Sequence, residues 1–181
     1  MSTRYPGGFI TKNYTAPTPT SASGIWTLEQ QEQAQKAGIW PYGGPFNYIE
    51  NVFSTYLYTG NNTSQTITNN IDLSTKGGMV WIKARSGTYS TGYNVINDTA
   101  RGAQKDLYTN TAGAQSTNTQ GLTAFTSTGF SVGSSTDVNG GSTNIASWTF
   151  RKQAKFFDVV TYTGNGTTQN ISHNLGSAPA C

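Results

Sequence analysis

Apolar positions along this chain follow two patterns that meet near residue 50. In Thr27-Leu28-Glu29-Gln30-Gln31-Glu32-Gln33-Ala34-Gln35-Lys36-Ala37-Gly38 only Leu28, Ala34 and Ala37 are apolar, but both ends carry helix signals. Thr27 is placed to cap, Gln30 stands where a capping box needs it, Glu29 lies in the first turn, Lys36 in the last, and Gly38 follows as a left-handed terminator. The spacing predicts one helix over about 27–37, three turns long and marginal by itself because nucleation is costly. Pro41-Tyr42-Gly43-Gly44-Pro45 terminates it. Ahead of it, Pro6-Gly7-Gly8 and Pro17-Thr18-Pro19 predict an extended arm, since proline fixes φ and pushes its predecessor out of helical geometry. This region cannot recover its ordering cost of roughly 1–2 kcal/mol per residue from its own contacts. Tyr5, Phe9, Trp26, Ile39 and Trp40, its large apolar side chains, are therefore the expected anchors of a docking interface.

From Phe53 onward the pattern changes to short apolar runs separated by turn residues. Strands are predicted over Phe53 to Thr59, Met79 to Ala84, Tyr93 to Ile96, Leu122 to Thr126, Phe130 to Val132, Ile145 to Phe150 and Phe156 to Tyr162. Gly60-Asn61-Asn62, Lys76-Gly77-Gly78, Thr128-Gly129 and Asn139-Gly140-Gly141 supply turns with positive φ options. No helical pattern of the length that parallel strands require lies between them, so an antiparallel β-sandwich is expected. Trp81 and Trp148, with Phe125, Phe130 and Phe150, are its expected core aromatics, and both tryptophans should be mostly buried.

An internal repeat sharpens the organisation. Tyr58-Thr59-Gly60-Asn61-Asn62-Thr63-Ser64-Gln65-Thr66-Ile67-Thr68-Asn69-Asn70 recurs as Tyr162-Thr163-Gly164-Asn165-Gly166-Thr167-Thr168-Gln169-Asn170-Ile171-Ser172-His173-Asn174, and Phe53 maps onto Phe157 at the same 104-residue offset. Eight of the thirteen positions are identical, so composition is a poor explanation. The repeat divides the chain into an arm with helix and linker (1–50), a sandwich module (51–155) and the start of a second, truncated copy (156–181).

Ser, Thr, Asn and Gln account for 72 of the 181 residues, while charged residues are 10% and aromatics 12%. Low charge with many aromatics argues against a disordered tail. A net charge of +3 is too weak and dispersed for a phosphate-tracking surface, so no nucleic-acid partner is expected. Aliphatic and aromatic runs reach only about four residues, as in Met79 to Ile82, which predicts neither a signal peptide nor membrane insertion. The lone Cys181 offers no intrachain disulfide and no thiolate cluster for zinc. Sequons at Asn61, Asn97 and Asn165 are what this composition generates by chance.

Candidate chemistry is sparse. His173, the single histidine, aligns with Asn69 of the other repeat in a polar segment with no nearby carboxylate or serine arrangement of the catalytic kind, so it reads as a turn residue rather than part of a dyad or triad. Asp72, Asp98, Asp106, Asp137 and Asp158 stand singly among turn residues, without the paired carboxylates that glycoside hydrolysis needs. Asp137-Val138-Asn139 is the nearest approach to a calcium loop, and Asp98-Thr99-Ala100-Arg101-Gly102 reads as a loop closed by an Asp–Arg pair. No catalytic residue, metal ligand or cofactor is assigned. Tyr89 and Tyr93, beside Gly87 and Gly92, are candidates for stacking on a sugar ring, because a pyranose presents a C–H face to a π-surface.

Two stretches resemble known families. Tyr5-Pro6-Gly7-Gly8-Phe9-Ile10-Thr11-Lys12, with Ala22-Ser23-Gly24-Ile25-Trp26-Thr27-Leu28-Glu29-Gln30 and Ala37-Gly38-Ile39-Trp40-Pro41, is similar to the leader of virion structural proteins of marine cyanophages. Gly78-Met79-Val80-Trp81-Ile82-Lys83, Asp98 to Gly102, Gly121 to Phe125, Gly129 to Gly133, Ser147 to Lys152 and Phe157 to Gly166 together resemble the repeated lectin-like (concanavalin-A-like) modules of phage tail-fibre proteins. In that family the Tyr-Thr-Gly-Asn-Gly run is followed by His-Asn-Leu-Gly-x-x-Pro, matched here by His173 to Pro179, and then by a strand of the next module. The resemblance implies a mainly β protein, an antiparallel jelly-roll or lectin-like sandwich after an extended arm with one short helix. It further implies a non-enzymatic virion component, a tail fibre or related external appendage. Its partners would be other virion proteins of the tail, baseplate or neck, further copies of itself in a homo-oligomer, most simply a trimer, and a host-surface glycan. The carbohydrate-binding part of a host-polysaccharide depolymerase and a head decoration protein are the alternatives.

Overall fold

The computed structural model describes residues 16–18, 22, 26–40, 48–87 and 92–179; Tyr5, Phe9 and Tyr89 lie outside them. The chain divides into two compact units, Met1–Asn47 and Tyr48–Cys181.

In the first unit the helix α1 spans Leu28–Lys36, bounded as its caps dictate. The Thr27 hydroxyl accepts the Gln30 N–H at 3.2 Å, and the Gln30 side chain accepts the Thr27 N–H at 2.9 Å, closing the capping box. Gly38 takes φ +69°, which turns the chain back so that the N–H groups of Ile39 and Trp40 both reach the carbonyl of Ala34, at 3.0 and 3.2 Å.

Among the described residues of the second unit, nine strands build two antiparallel sheets. They are β1 (Phe53–Thr59), β2 (Gln65–Thr68), β3 (Gly78–Ser86), β4 (Asn94–Asp98), β5 (Lys105–Tyr108), β6 (Ser116–Thr117), β7 (Leu122–Thr126), β8 (Gly129–Val132) and β9 (Asn144–Arg151), with a short helix α2 (Thr136–Asn139) before β9. The larger sheet runs β1-β9-β3-β4-β5-β6 and the smaller β2-β8-β7. Their facing sides enclose one core: Val80, Ile82, Val95 and Ile145 from the larger sheet, Ile67, Leu122, Phe130 and Val132 from the smaller, and Ile71, Leu73 and Val138 from the connections. The chain is a mainly β protein with an antiparallel β-sandwich and a short helix.

Three expectations are corrected. Trp81 and Trp148 are mostly buried as expected, but with Phe150 they lie on the outer side of the larger sheet rather than in the core, because alternation turns Val80 and Ile82 of β3, and Ile145, Ser147 and Thr149 of β9, inward. Of the expected core aromatics, Phe130 is fully buried and Phe125 packs against the core from its margin. Phe156 to Tyr162 forms no strand: a single bridge joins Gln153 to Phe157, and residues 160–174 are exposed. Its counterpart β1 is a strand because β9 pairs with it from Phe53–Phe150 to Thr59–Asn144, and among the described residues nothing pairs with 158–163 in that way. Finally, β2, β5, β6 and α2 were not expected from the sequence pattern.

Candidate functional site

The predicted docking residues that the structure describes come together around the ends of α1. The rings of Trp26 and Trp40 meet edge to face with centroids 5.4 Å apart, and Ala34 is buried near them. Trp26 and Ile39 border a shallow groove between Ala16–Pro17 and the helix face of Gln30, Ala34 and Ala37. The sequence separates these aromatics by a whole helix; the capped turn after Lys36 folds one back toward the other.

A second aromatic surface lies on the outer side of the larger sheet. Ladder register places Thr55, Trp148, Trp81, Ile96 and Leu107 in one row across five strands, and Phe53, Phe150 and Met79 in the next. The Trp81 and Trp148 rings are 5.4 Å apart, Phe53 and Phe150 4.9 Å, and Phe157 lies 5.2 Å from Phe150. The Trp81 indole N–H is buried without a hydrogen-bond partner among the described residues.

Tyr93 packs on Tyr108, centroids 4.3 Å apart and rings tilted by 42°, and also packs against the core, so part of its π-surface is already in use. Strand β5 also carries a buried polar cluster. The Asp106 carboxylate accepts Nδ2 of Asn97 at 2.7 Å and of Asn118 at 2.9 Å. Burial pushes this carboxyl above the ordinary range; the two amides and Arg101 oppose that rise, and Asp137 adds to it. The Tyr108 hydroxyl donates to Asp137 at 3.4 Å, and its ionisation too is raised, chiefly by burial. The expected Asp–Arg loop is present: Arg101 Nε meets Asp98 Oδ2 at 2.6 Å, its N–H reaches Asp98 Oδ1 at 2.9 Å, and its guanidinium also donates to the carbonyls of Ile96 and Lys105.

Asn139, flagged in sequence as the nearest thing to a cation ligand, is instead the hub of an amide network. Its Oδ1 accepts the Asn61 N–H at 3.1 Å and the Gln65 side chain, and its Nδ2 donates to Asn61 Oδ1, Thr63 O and Gly133 O. Close by, the Tyr58 hydroxyl donates to Val138 O at 2.6 Å, and burial drives its ionisation far upward. Sequence reasoning missed this hub, although Tyr58, Asn61 and Gln65 are among the repeat's identical positions. His173 acts as a turn residue, its Nδ1 accepting the Leu175 N–H at 3.2 Å.

Among the described residues no three His, Cys, Asp or Glu side chains converge, and no helix is long and apolar enough to cross a membrane. No curated protein and no solved structure matches this chain. A family model described as a domain of unknown function, DUF7483, matches residues 49–181, taking in the whole sandwich and the segment after it. That is more than half of the chain, which therefore belongs to the DUF7483 family.

Proposed function

We propose that this protein is a structural component of a phage particle, a tail fibre or related appendage, that docks through its N-terminal unit and displays sandwich modules for host attachment. The observation that carries this reading is the recurrence, 104 residues on, of the opening of the sandwich behind a leader that cannot stabilise itself. Modular chains extend a display surface by repetition, each unit contributing its own core. A surface dominated by neutral amides and hydroxyls supports the same reading, because it limits nonspecific electrostatic capture. The Trp26–Trp40 clasp with Ile39 beside it supplies the docking anchors, in contact with tail, baseplate or neck proteins. Trimeric assembly and a host glycan as the ligand belong to the same proposal, which assigns the chain no catalysis.

Immunoelectron microscopy of purified cyanophage particles with antibodies against residues 51–155 tests it. Label on a tail, baseplate or neck appendage, lost when residues 1–45 are deleted, is the expected result. Label spread over the head at hundreds of copies, or particles without label, overturns it, and so does polysaccharide cleavage by the purified protein.

A further inference from the structure

The segment 163–175 repeats the local bonds of 59–71 without, among the described residues, a sheet around it. Thr167 N donates to Asn165 Oδ1 at 3.0 Å, as Thr63 N donates to Asn61 Oδ1 at 2.9 Å. Gln169 Nε2 reaches Thr163 O at 3.2 Å, as Gln65 Nε2 reaches Thr59 O at 3.2 Å. Leu175 N donates to His173 Nδ1 at 3.2 Å, as Ile71 N donates to Asn69 Oδ1 at 3.2 Å. Gly166 takes φ +76° where Asn62 takes φ +59°. Every pair is related by the same offset, so this bend is encoded locally and forms in both copies.

What differs is the covering. In the first copy Tyr58 binds the Val138 carbonyl, Asn61 and Gln65 bind Asn139, and Ile67 is 3% exposed beneath the sandwich. In the second, the matching Tyr162 is 67% exposed and Ile171 38%. The glycines are telling. A Cβ on Gly60 would lie 2.0 Å from the Gly140 carbonyl oxygen, which is why no larger residue fits there. A Cβ on its counterpart Gly164 would meet nothing within 4 Å, and Gly164 does not adopt positive φ. Neither space nor backbone conformation in this structure calls for glycine at 164; a carbonyl placed like that of Gly140 would.

We propose that residues 157–175 are the preformed first edge of a second sandwich, and that their partner is a polypeptide carrying the counterparts of β8, α2 and β9. One strand would pair with 157–163 as β9 pairs with β1, and another with 169–172 as β8 pairs with β2. An asparagine side chain would sit between Asn165 and Gln169, and a glycine carbonyl would lie against Gly164. Tyr162 and Ile171 would be buried by the same contacts that bury Tyr58 and Ile67. This inference does not depend on the virion reading, since module completion is a property of the chain wherever it works.

The test is a chimera in which residues 78–155 of this chain are appended after Cys181, the register that the offset dictates. Hydrogen exchange of amides 159–172 should slow by at least 100-fold relative to the parent chain. Replacing the appended counterpart of Asn139 by alanine should abolish that protection while leaving 53–151 unchanged. Appended strands that are themselves protected while 159–172 still exchange at the parental rate overturn the proposal. Should the appended strands stay disordered, a graft decides: residues 53–70 of the parent are replaced by the sequence of 157–174. A graft that unfolds cooperatively and keeps the tryptophan near-UV circular dichroism of the parent upholds the proposal, and a graft that does not fold overturns it.

Discussion

Trp81 and Trp148 are register partners across β3 and β9, with ring centroids 5.4 Å apart, on the side of the sheet that faces away from the core. Their contribution is that of a cross-strand aromatic pair on a half-buried face, about 0.5–1.5 kcal/mol beyond the area they cover. Trp148→Ala is therefore expected to cost about 2 kcal/mol, against roughly 3–5 kcal/mol for Phe130→Ala in the closed core. Urea unfolding of both variants checks the order; equal losses would contradict the placement of the tryptophans.

Removing the Asn139 side chain takes the acceptor from the Asn61 N–H and one of two acceptors from the Gln65 amide, which keeps Thr59 O, and takes a donor from the exposed Thr63 and the buried Gly133 carbonyls. Each buried group left without a partner costs about 1–3 kcal/mol. Asn139→Ala should lower stability by about 1–3 kcal/mol, read as a shift in the denaturant midpoint at constant slope. A loss below about 1 kcal/mol would mean that the network is not sealed from solvent.

Asp106 gives stability a pH signature of definite sign. Burial raises its carboxyl in the folded state, so the folded chain holds this proton more readily than the unfolded one. Its contribution is fully present below the ordinary aspartate value of about 4 and is lost as pH rises through the raised folded value. Asp72 and Asp158 act in the opposite sense. The Thr75 hydroxyl, followed by its backbone N–H, holds Asp72 low. At Asp158, burial works upward but is outweighed by Lys152 and the N–H groups of Asn174 and Val159. Their stabilisation is present above about pH 4 and is lost on acidification through their lowered folded values. Comparing Tm against pH for the parent and Asp106→Asn isolates the first effect. The parent should lose stability relative to the variant as pH rises from about 4 to 7, and a pH-independent difference would refute the assignment.

Gly60→Ala must displace the Gly140 carbonyl, a backbone atom that can yield only if the turn before β9 moves. Overpacking of this kind costs about 1–3 kcal/mol. Gly164→Ala in the same chain is expected to change stability by less than about 0.5 kcal/mol, as an open surface site does. Thermal unfolding of the two variants side by side separates them.

The helix was legible because Thr27, Gln30, Lys36 and Gly38 act through bonds no longer than one turn. β1 and β7 were legible to the residue because their apolar runs end at turn residues. Gln65-Thr66-Ile67-Thr68, Lys105-Asp106-Leu107-Tyr108 and Ser116-Thr117 carry too few apolar residues to announce strands; only their ladder partners make them so. Alternation told which residues of β3 share a face but not which face is inward, because Met79 and Trp81 are as apolar as Val80 and Ile82. Phe156 to Tyr162 has strand-forming residues without a ladder, and a strand is a relation between two segments. The hub role of Asn139 depends on Asn61 and Gln65, 78 and 74 residues away, a distance over which no local signal reaches.

The pairing of Phe53 with Phe150 at the open end of the β1–β9 ladder has a mechanical consequence. The chain enters the sandwich and leaves it at neighbouring points, so tension applied through the two flanking segments would pull that one end of the ladder apart. The load would fall on a single register pair at a time, from Phe53–Phe150 toward Thr59–Asn144, rather than being shared along the strands in shear. A module can thus be stable against denaturant and still peel open under a modest pull, lengthening its tether from one edge, with β2 of the smaller sheet next in line once β1 has come away.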